Sequence, residues 1–286
     1  MTTERSRWFA PADGDAWIMG VLNCTPDSFS DGGMHVRLDD AVQHAESMWK
    51  AGAVIVDVGG ESTRPGSEPV SGQEELMRVI PVVEALNKKN ISVSIDTSKA
   101  EVMRQVIAAG ACMVNDVTAL TGDAGALDVV AESGVDVCLM HMKGAPATMQ
   151  KHVHYDDVVD DVMAFFEARV AATQAAGIAE HSILLDPGIG FGKRLEDNLA
   201  LISAIPRLKR LGFPLLMGVS RKAFLGALTG AAVEDREIET AAAVTGCILA
   251  GADVVRVHDV QAQARAVKIA SALRRCLLQD NSGVSY

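Results

Sequence analysis

The sequence is poor in aromatic residues and has no closely spaced cysteines. Aromatic side chains make up 4% of the 286 residues, which argues against a carbohydrate-binding groove, since such sites usually offer aromatic stacking surfaces. The cysteines stand at positions 24, 112, 138, 247 and 276. They form no CxxC pair, so neither a zinc site nor a disulfide framework is predicted. Reduced thiols of this kind are typical of cytoplasmic proteins.

An excess of positive charge and a long hydrophobic run are also lacking. The chain has 26 lysines and arginines against 37 acidic residues, a formal net charge of −11, which argues against a nucleic-acid-binding surface. This balance still allows an anionic small molecule, provided that a few cations gather at one place. The most continuous apolar run, 241–252, is too short to span a bilayer, and MTTERSRWFA has no signal-peptide core. We therefore expect a soluble cytoplasmic protein without nucleic-acid or membrane partners.

Short apolar segments rich in β-branched residues alternate with longer helix-like segments along the chain. The predicted strands are 17–23, 54–60, 91–96, 113–117, 137–142, 183–187, 214–220 and 254–259. The clearest amphipathic helix between them covers 155–176. Two further helices are predicted to start at Ser71 and Ser98, which have capping-box spacing to Glu74 and Glu101.

Apolar strands separated by helices indicate a parallel sheet covered on its faces. Eight such units predict a single (β/α)8 TIM-barrel domain over residues 1–286, with the active site at the C-terminal ends of the strands. An open doubly wound sheet is the main alternative. It would have one crevice fed by a few strands, whereas here nearly every predicted strand ends in a polar residue.

In a barrel, the polar strand ends converge on one mouth. The residues at these ends are Asn23, Asp57, Asp96, Asn115, Asp116, His141, Asp186, Ser220, Lys222, Arg256 and His258. A turn-forming role explains any one of them, but together they favour one shared pocket. Asp186 also precedes a glycine-rich segment, PGIGFGK, which is typical of a ligand-binding loop or of an ordinary strand-to-helix turn.

Positive residues at the mouth predict a phosphate subsite. Arg256 and His258 are two residues apart on a strand and so face the same side. Arg64 lies in the glycine-containing loop 59–72, which with loop 23–33 exposes backbone N–H groups that suit closure over an anion. These three side chains would supply the local positive charge that phosphate needs. Ordinary salt bridges are the alternative for Arg64.

Asp96, Asn115 and Asp186 form a second group, with Lys222 nearby. Buried carboxylates and amides are costly unless a ligand donates hydrogen bonds to them. A flat heterocycle with an N–H edge would pair with Asp186, while Lys222 meets a ring carbonyl or nitrogen and Arg256 stacks on the ring face. An acid/base pair for glycoside cleavage is the alternative for the two carboxylates.

Eight stretches of the sequence resemble the dihydropteroate synthases, a pterin-binding (β/α)8 family, and follow the family's order. They are MGVLNCTPDSFSDGG (19–33), DVGGESTRPGSEPV (57–70), SIDTSKAEV (94–102), VNDV (114–117), HMKGAPATMQ (141–150), LDPGIGFGK (185–193), GVSRKAFLG (218–226) and RVHDV (256–260). The resemblance implies condensation of 6-hydroxymethyl-7,8-dihydropterin pyrophosphate with p-aminobenzoate, giving 7,8-dihydropteroate and pyrophosphate. It also implies Mg²⁺ as cofactor, sulfonamides as inhibitors and a homodimer.

The resemblance assigns roles to the matching positions. The implied pterin pocket consists of Asp96, Asn115, Asp186, Lys222 and the stacking Arg256. The implied pyrophosphate contacts are Asn23, Thr63, Arg256 and His258, with Asn23 as the Mg²⁺ ligand. The implied aminobenzoate site comprises Arg64, Pro65, Phe191, Ser220 and Lys222, and the implied catalytic residues are Lys222, Arg256, His258 and Asp96.

Two positions depart from the family pattern. Ala223 stands where a serine often follows the Arg-Lys pair, and Cys24 replaces a usual valine. Neither change removes a predicted ligand contact.

Two other functions remain as alternatives. A methyltetrahydrofolate-binding methyltransferase module uses a similar barrel, but the STRPGS and RVHDV segments suit a pyrophosphate. A catalytically silent pterin-binding paralogue would be expected to have damaged pocket positions, and the sequence shows none.

Overall fold

Backbone hydrogen bonds join the parallel strands into one sheet. The computed structural model describes residues 7–8, 14–24, 34–62, 69–144, 149 and 153–282, and for 34–37 and 280–282 only the backbone. Within these residues the strands are β1 (Trp17–Asn23), β2 (Ile55–Gly59), β3 (Val93–Asp96), β4 (Met113–Asp116), β5 (Asp136–Met140), β6 (Ile183–Asp186), β7 (Leu216–Met217) and β8 (Val254–Val257). Their order is β6-β5-β4-β3-β2-β1-β8-β7. A parallel bridge between Leu185 and Leu215 joins the two outer strands, so the sheet curls into the predicted (β/α)8 barrel and is not an open doubly wound sheet.

Helices follow every strand and cover the outside of the barrel. They are α1 (Met34–Ala51), α2 (Gly72–Lys88), α3 (Ala100–Ala108), α4 (Ala126–Ser133), α5 (Val158–Ala175), α6 (Leu195–Ser203), α7 (Ile205–Leu208), α8 (Ala223–Thr229), α9 (Glu237–Ala250) and α10 (Val260–Ser282). The helix predicted over 155–176 is confirmed as α5, which Asp157 caps by accepting hydrogen bonds from two backbone N–H groups. In the described part of the chain no helix is long and apolar enough to cross a membrane.

The helix start predicted at Ser71 is confirmed, and the one predicted at Ser98 is wrong. Ser71 does cap α2, because its Oγ accepts a hydrogen bond from Glu74 N at 3.2 Å. α3, however, begins at Ala100 and has no cap from Ser98. Asp123 Oδ2, from the segment after β4, instead accepts the hydrogen bond of Ala100 N at 3.0 Å. A tertiary contact therefore takes the place of the local cap.

The seventh strand is much shorter than the predicted 214–220. Only Leu216 and Met217 belong to β7. Arg221 then adopts a left-handed conformation with φ of 56°, and Lys222 N donates a hydrogen bond back to Val219 O at 3.4 Å. The chain thus turns where we expected it to continue as a strand, and residues 218–222 form a loop at the mouth.

Side chains inside the barrel form an apolar layer and a polar layer. The apolar layer consists of Met19, Ile55, Met113, Cys138, Leu184, Leu216 and Val254, all fully buried. Two residues further along four of these strands stand Asp57, Asn115, Asp186 and Arg256. Because strand side chains alternate between faces, the parity that buries the apolar residues also directs these polar groups into the barrel at its C-terminal end.

Trp8 closes the opposite, N-terminal end of the interior. Its side chain is 5% exposed and packs within the apolar layer. Trp8 Nε1 donates a hydrogen bond to Asp136 Oδ2 at 2.8 Å, and Arg7 pairs with the same carboxylate at the start of β5. The mouth at the C-terminal ends of the strands is thus the end of the barrel that offers polar groups to a ligand.

We predict that Trp8→Ala lowers the free energy of unfolding by about 3–5 kcal/mol, because it removes a large buried aromatic ring and a hydrogen bond to Asp136. Urea unfolding measures the loss. Trp49→Ala is the matched control, since Trp49 lies on α1 and is 36% exposed, and it should cost much less. Equal losses of stability for the two variants would contradict the role of Trp8 in closing the N-terminal end of the barrel interior.

Candidate active site

Arg256 connects the carboxylates of the polar layer. Its Nε donates a hydrogen bond to Asp57 Oδ2 at 2.7 Å, and its Nη2 donates to Asp96 Oδ2 at 2.8 Å. Asn115 Nδ2 donates to the same Asp57 oxygen at 2.8 Å. Strands β2, β3, β4 and β8 therefore contribute to one network, although Asp57 and Arg256 are 199 residues apart in the chain.

Burial and ion pairing act against each other in this network. Burial raises the pKa of Asp96 to about 7, although Arg256 opposes the shift. Burial also acts to lower the pKa of Arg256, but its ion pairs with Asp57 and Asp96 raise it above the usual value. Arg256 therefore stays charged, and the ionised form of Asp96 depends on the hydrogen bonds and charges that compensate its burial. A ligand that donates hydrogen bonds would favour the ionised form of Asp96.

Asp186 lies at the end of β6 on the same rim. Burial raises its pKa, while the Gly188 N–H group and the cations of Lys222 and Arg256 lower it. Gly188 N donates a hydrogen bond to Asp186 Oδ1 at 2.7 Å. On the side of β7, a Cβ placed on Gly218 would lie 3.8 Å from Asp186 Oδ2, so the glycine leaves space beside this oxygen. Asp186 can therefore offer its second oxygen to a ligand.

Lys222 brings a cation to the same space. Burial lowers its pKa to about 8, with a further contribution from Arg256, and Asp186 and Asp96 oppose the shift. Its Nζ lies 4.1 Å from the centroid of the Phe191 ring. Lys222 thus stands between the carboxylates of the polar layer and an aromatic side chain of the loop after β6. A group in this position can contact two ligands bound side by side.

His258, Ser220 and Asn23 form the neighbouring part of the mouth. Ser220 Oγ lies 2.9 Å from His258 Nδ1 and accepts a hydrogen bond from His258 N at 3.2 Å. Asn23 and His258 line an open cavity of about 400 Å³ that also contacts Arg221. Its remaining lining comes from Val21, Leu22, His44, Ser47, Met48, Asp259, Val260 and Gln261. The imidazole, guanidinium and amide groups of this lining suit a polyanionic group, and Asp259 is the acidic residue among them.

The structure brings most of the predicted site residues to one mouth. The described members are Asn23, Asp96, Asn115, Asp186, Phe191, Ser220, Lys222, Arg256 and His258. Thr63, Arg64 and Pro65, predicted for the pyrophosphate and aminobenzoate contacts, lie outside the described residues, as do residues 25–33 of the first loop and the rest of 63–68 in the second. Lys222 and Arg256 interact electrostatically with both Asp96 and Asp186, so Asp186 shares its rim with Arg256 and hence with the His258 side of the mouth.

Two of the polar strand ends do not face the shared pocket. Asp116 Oδ1 accepts hydrogen bonds from Thr118 N at 2.7 Å and Thr118 Oγ1 at 2.8 Å, and its Oδ2 accepts from Leu120 N at 2.9 Å. The ring of His141 lies edge-on against Phe165 of α5. Both residues have the opposite parity to the inward-facing ones, and this parity was readable from the strand pattern.

Asp57 belongs to the site although the sequence reasoning gave it no role. Its side chain is fully buried and holds both Asn115 and Arg256 through Oδ2. It was predicted only as one of the polar strand ends, and its parity with Ile55 in β2 indicates that it faces the interior. Its contribution is to orient two other side chains, and nothing in the local sequence indicates those partners.

The glycines after Asp186 mainly allow close packing between two loops. A Cβ on Gly188 would lie 2.0 Å from His141 O, and one on Gly192 would lie 2.2 Å from Lys143 O. Gly190 faces Lys222, whose Cδ would be 3.2 Å from an added Cβ. All three glycines have positive φ angles. The sequence favoured a loop that lets a ligand approach the backbone. At Gly188 and Gly192, however, the loop after β5 is what approaches the backbone closely.

One amide oxygen at the mouth is compatible with a magnesium ion that takes its other ligands from water and phosphate. The described residues hold no group of three or more His, Cys, Asp or Glu side chains that could bind a metal. Asn23 offers one neutral oxygen beside the cavity. Mg²⁺ commonly takes few protein ligands and completes its shell with water and phosphate oxygens. A single amide oxygen is therefore compatible with the predicted role of Asn23.

Cys24 is not suited to nucleophilic chemistry. It is buried, and burial raises the pKa of its thiol to about 12, although Arg78 opposes the shift. A reactive cysteine needs a lowered pKa and some access to solvent. The structure thus gives Cys24 no role as a nucleophile.

Comparison with known proteins identifies the family. Residues 19–258 match the family of pterin binding enzymes. The dihydropteroate synthase of Escherichia coli (strain K12) is 47% identical over 256 residues, which cover 89% of this chain and 90% of that protein.

Two solved structures share the fold and much of the sequence. The Yersinia pestis dihydropteroate synthase with a sulfonamide drug superimposes with a TM-score of 0.86 at 46% identity, covering 92% of this chain and 95% of that one. The Xanthomonas albilineans dihydropteroate synthase in complex with 7,8-dihydropteroate has a TM-score of 0.79 at 41% identity, covering 100% of this chain and 97% of that one. The chain therefore belongs to the pterin binding enzymes, and within them to the dihydropteroate synthases.

Proposed function

We propose that the enzyme joins 6-hydroxymethyl-7,8-dihydropterin pyrophosphate to p-aminobenzoate, and that the residues at the mouth act in the roles predicted from the sequence. The observation that carries the proposal is the division of the mouth. Buried carboxylates and an amide occupy one part together with Arg256 (Asp96, Asn115 and Asp186), and polar and basic groups that line an open cavity occupy the next (Asn23, Arg221 and His258). A pterin ring and its pyrophosphate tail need such adjacent subsites. The dihydropteroate-bound relative supports the same assignment.

In the proposed reaction, pyrophosphate leaves the pterin methylene before the amine attacks. Positive charge then spreads into the electron-rich pterin while negative charge grows on the leaving group, so the enzyme must stabilise charge separation. Ionised Asp96 and Asp186 would favour the cationic ring. Arg256 and His258, with Thr63, would bind the departing pyrophosphate. Asn23 would hold Mg²⁺, which when bound neutralises part of the negative charge on the phosphate oxygens.

Arg256 would change partners when the substrate binds. In the described structure its guanidinium is ion-paired with Asp57 and Asp96, and a stacking position over the pterin ring requires Asp96 to accept hydrogen bonds from the ring instead. Asp57 would keep Arg256 anchored through Nε. The ammonium of Lys222 would contact the pterin on one side and the aminobenzoate on the other, next to Phe191.

The arylamine is a weak nucleophile and needs placement more than activation. Phe191, Ser220 and Lys222 would form the described part of its site, and Arg64 and Pro65 would contribute from loop 59–72. We propose that closure of loops 23–33 and 59–72 completes this site only after the pterin substrate is bound, so that binding is ordered with the pterin substrate first.

The test of the function is release of pyrophosphate from the pterin substrate upon addition of aminobenzoate and Mg²⁺. We expect 7,8-dihydropteroate and pyrophosphate in equal amounts, and competition between sulfonamides and aminobenzoate. A methyltetrahydrofolate-binding methyltransferase module would release no pyrophosphate and would hand a methyl group to a cobalamin partner. A silent paralogue would bind the pterin without turnover.

Asp186→Asn should weaken pterin pyrophosphate binding by about 10- to 100-fold, because an amide donor would replace a carboxylate oxygen that faces ring N–H groups. Titration calorimetry measures the affinity. Asp160→Asn is the control, since Asp160 lies on α5 and pairs with Arg207 at the surface, and it should leave the affinity unchanged. Wild-type affinity in Asp186→Asn would remove Asp186 from the pterin pocket.

We further propose that residues 1–286 form one barrel domain that works in the cytoplasm as a homodimer. Exposed large apolar side chains of the described residues are concentrated on α8, α9, α10 and the turn between α8 and α9. They are Leu228, Val233, Ile238, Leu249, Ile269, Leu273, Leu277 and Leu278. α9 and α10 also pack against each other, so their exposed residues offer a continuous face for a second copy of the chain.

Ile238→Glu should convert the dimer into a monomer, because Ile238 is 82% exposed on α9 and a charge there would be buried in the interface. Sedimentation velocity reports the mass in solution. Met77→Glu, at a 67% exposed position of α2, is the control and should stay dimeric. A monomeric wild type, or a dimeric Ile238→Glu variant, would contradict this interface.

A further inference from the structure

Lys193 is a buried cation that the proposed chemistry does not use. It ends the loop after β6, seven residues beyond Asp186, and is 3% exposed. Its hydrogen bonds go to neutral acceptors, and burial lowers its pKa to about 7 although Asp186 opposes the shift. A buried lysine amino group is costly unless its hydrogen bonds are satisfied.

Three hydrogen-bond acceptors lie close to Lys193 Nζ. Its Nζ lies 3.0 Å from His141 Nδ1 and donates hydrogen bonds to His141 O at 3.2 Å and to Phe191 O at 3.1 Å. Burial, together with the charge of Lys193, lowers the pKa of His141 to about 3. The imidazole is therefore neutral, and its Nδ1 can accept a hydrogen bond. Lys193 thus ties the loop after β6 to the loop after β5.

Other hydrogen bonds fix the backbone on both sides of Phe191. Gly190 N donates to Asn198 Oδ1 at 2.7 Å, and Tyr155 Oη donates to Gly192 O at 2.9 Å. Lys193 holds the carbonyl of Phe191 itself. The half-buried ring of Phe191 is then presented to the mouth with Lys222 Nζ over its face. Lys193 thus adds a side-chain hydrogen bond to Phe191 itself, besides the bond that Phe191 N donates to Gly188 O at 3.0 Å within the same loop.

We propose that Lys193 is a positioning residue for the aminobenzoate substrate, because it holds Phe191 as a fixed wall of that subsite. This inference rests on the proposed function. A weakly nucleophilic arylamine reacts only when it is placed accurately. If the Phe191 ring is displaced, a higher aminobenzoate concentration is therefore needed for half-maximal rate. The pterin subsite depends less on Lys193, since Asp186 accepts a hydrogen bond from Gly188 N at 2.7 Å, whereas the three contacts described above for Lys193 go to His141 and Phe191.

The first test is Lys193→Met, which keeps the length of the side chain and removes the three hydrogen bonds. We expect the KM for aminobenzoate to rise about tenfold or more, while the Kd for pterin pyrophosphate stays within about twofold. Lys209→Met is the matched control. Lys209 is also partly buried, and it pairs with Asp253 and donates to Phe213 O near the other end of the barrel. The control should leave both constants unchanged.

A second variant keeps the proposal testable if Lys193→Met does not fold. His141→Phe retains an aromatic ring against Phe165, whose centroid lies 4.9 Å from that of His141, and removes one acceptor of Lys193. It should raise the KM for aminobenzoate in the same direction by a smaller factor. An unchanged KM for aminobenzoate in the folded variants, or equal losses for both substrates, would overturn the proposal.

A third measurement needs no turnover and so separates this proposal from the proposed function. 4-Fluorophenylalanine at position 191 reports the environment of the ring by ¹⁹F NMR in the substrate-free enzyme. We expect a single resonance in the otherwise unchanged chain and in Lys209→Met, and a shifted or broadened one in Lys193→Met. Identical spectra in all three would overturn the positioning role. Absence of pyrophosphate release by the wild type would instead refute the proposed function.

Discussion

The site depends on one physical constraint, the need to compensate carboxylates that are buried inside the barrel. Asp57 and Asp96 stand at the ends of neighbouring strands, and Arg256 from β8 satisfies both. Removing one partner of such a buried network typically costs about 3–5 kcal/mol, because a charge is left without its counterion. The network therefore fixes Arg256 and, through Asp57, the amide of Asn115. The site is therefore organised by charges that the proposed substrate would also use.

The two-layer interior explains how a stable barrel can carry such charges. The apolar layer with Met19, Ile55 and Met113 supplies the packing, and Trp8 covers its N-terminal end. The polar residues come two positions later, where the strands end and loops begin. Stability and chemistry are thus separated along the barrel axis. A (β/α)8 barrel can therefore concentrate ionisable groups at the mouth without placing them in the hydrophobic core.

Much of this arrangement was predictable from local sequence, and the exceptions have physical causes. Strand positions follow from apolar runs, and the mouth follows from the polar residues at their ends. Asp116 and His141 share the end of the barrel but not its interior, because a shift of one residue along a strand reverses the direction of the side chain. The cap of α3 by Asp123 and the buried contacts of Lys193 depend on residues that are far away in the sequence. No local pattern encodes such partners.

The close contact of Gly188 with the carbonyl of His141 has a consequence for how this enzyme can diversify. A side chain at Gly188 would require two loops to move together, because a Cβ would lie 2.0 Å from that oxygen. Single substitutions at Gly188 are therefore expected to be poorly tolerated. New preferences for arylamines or their mimics would have to arise at neighbouring positions with open space, such as Ala223 at the start of α8. The loop after β6 would keep its conformation while positions such as Ala223 change.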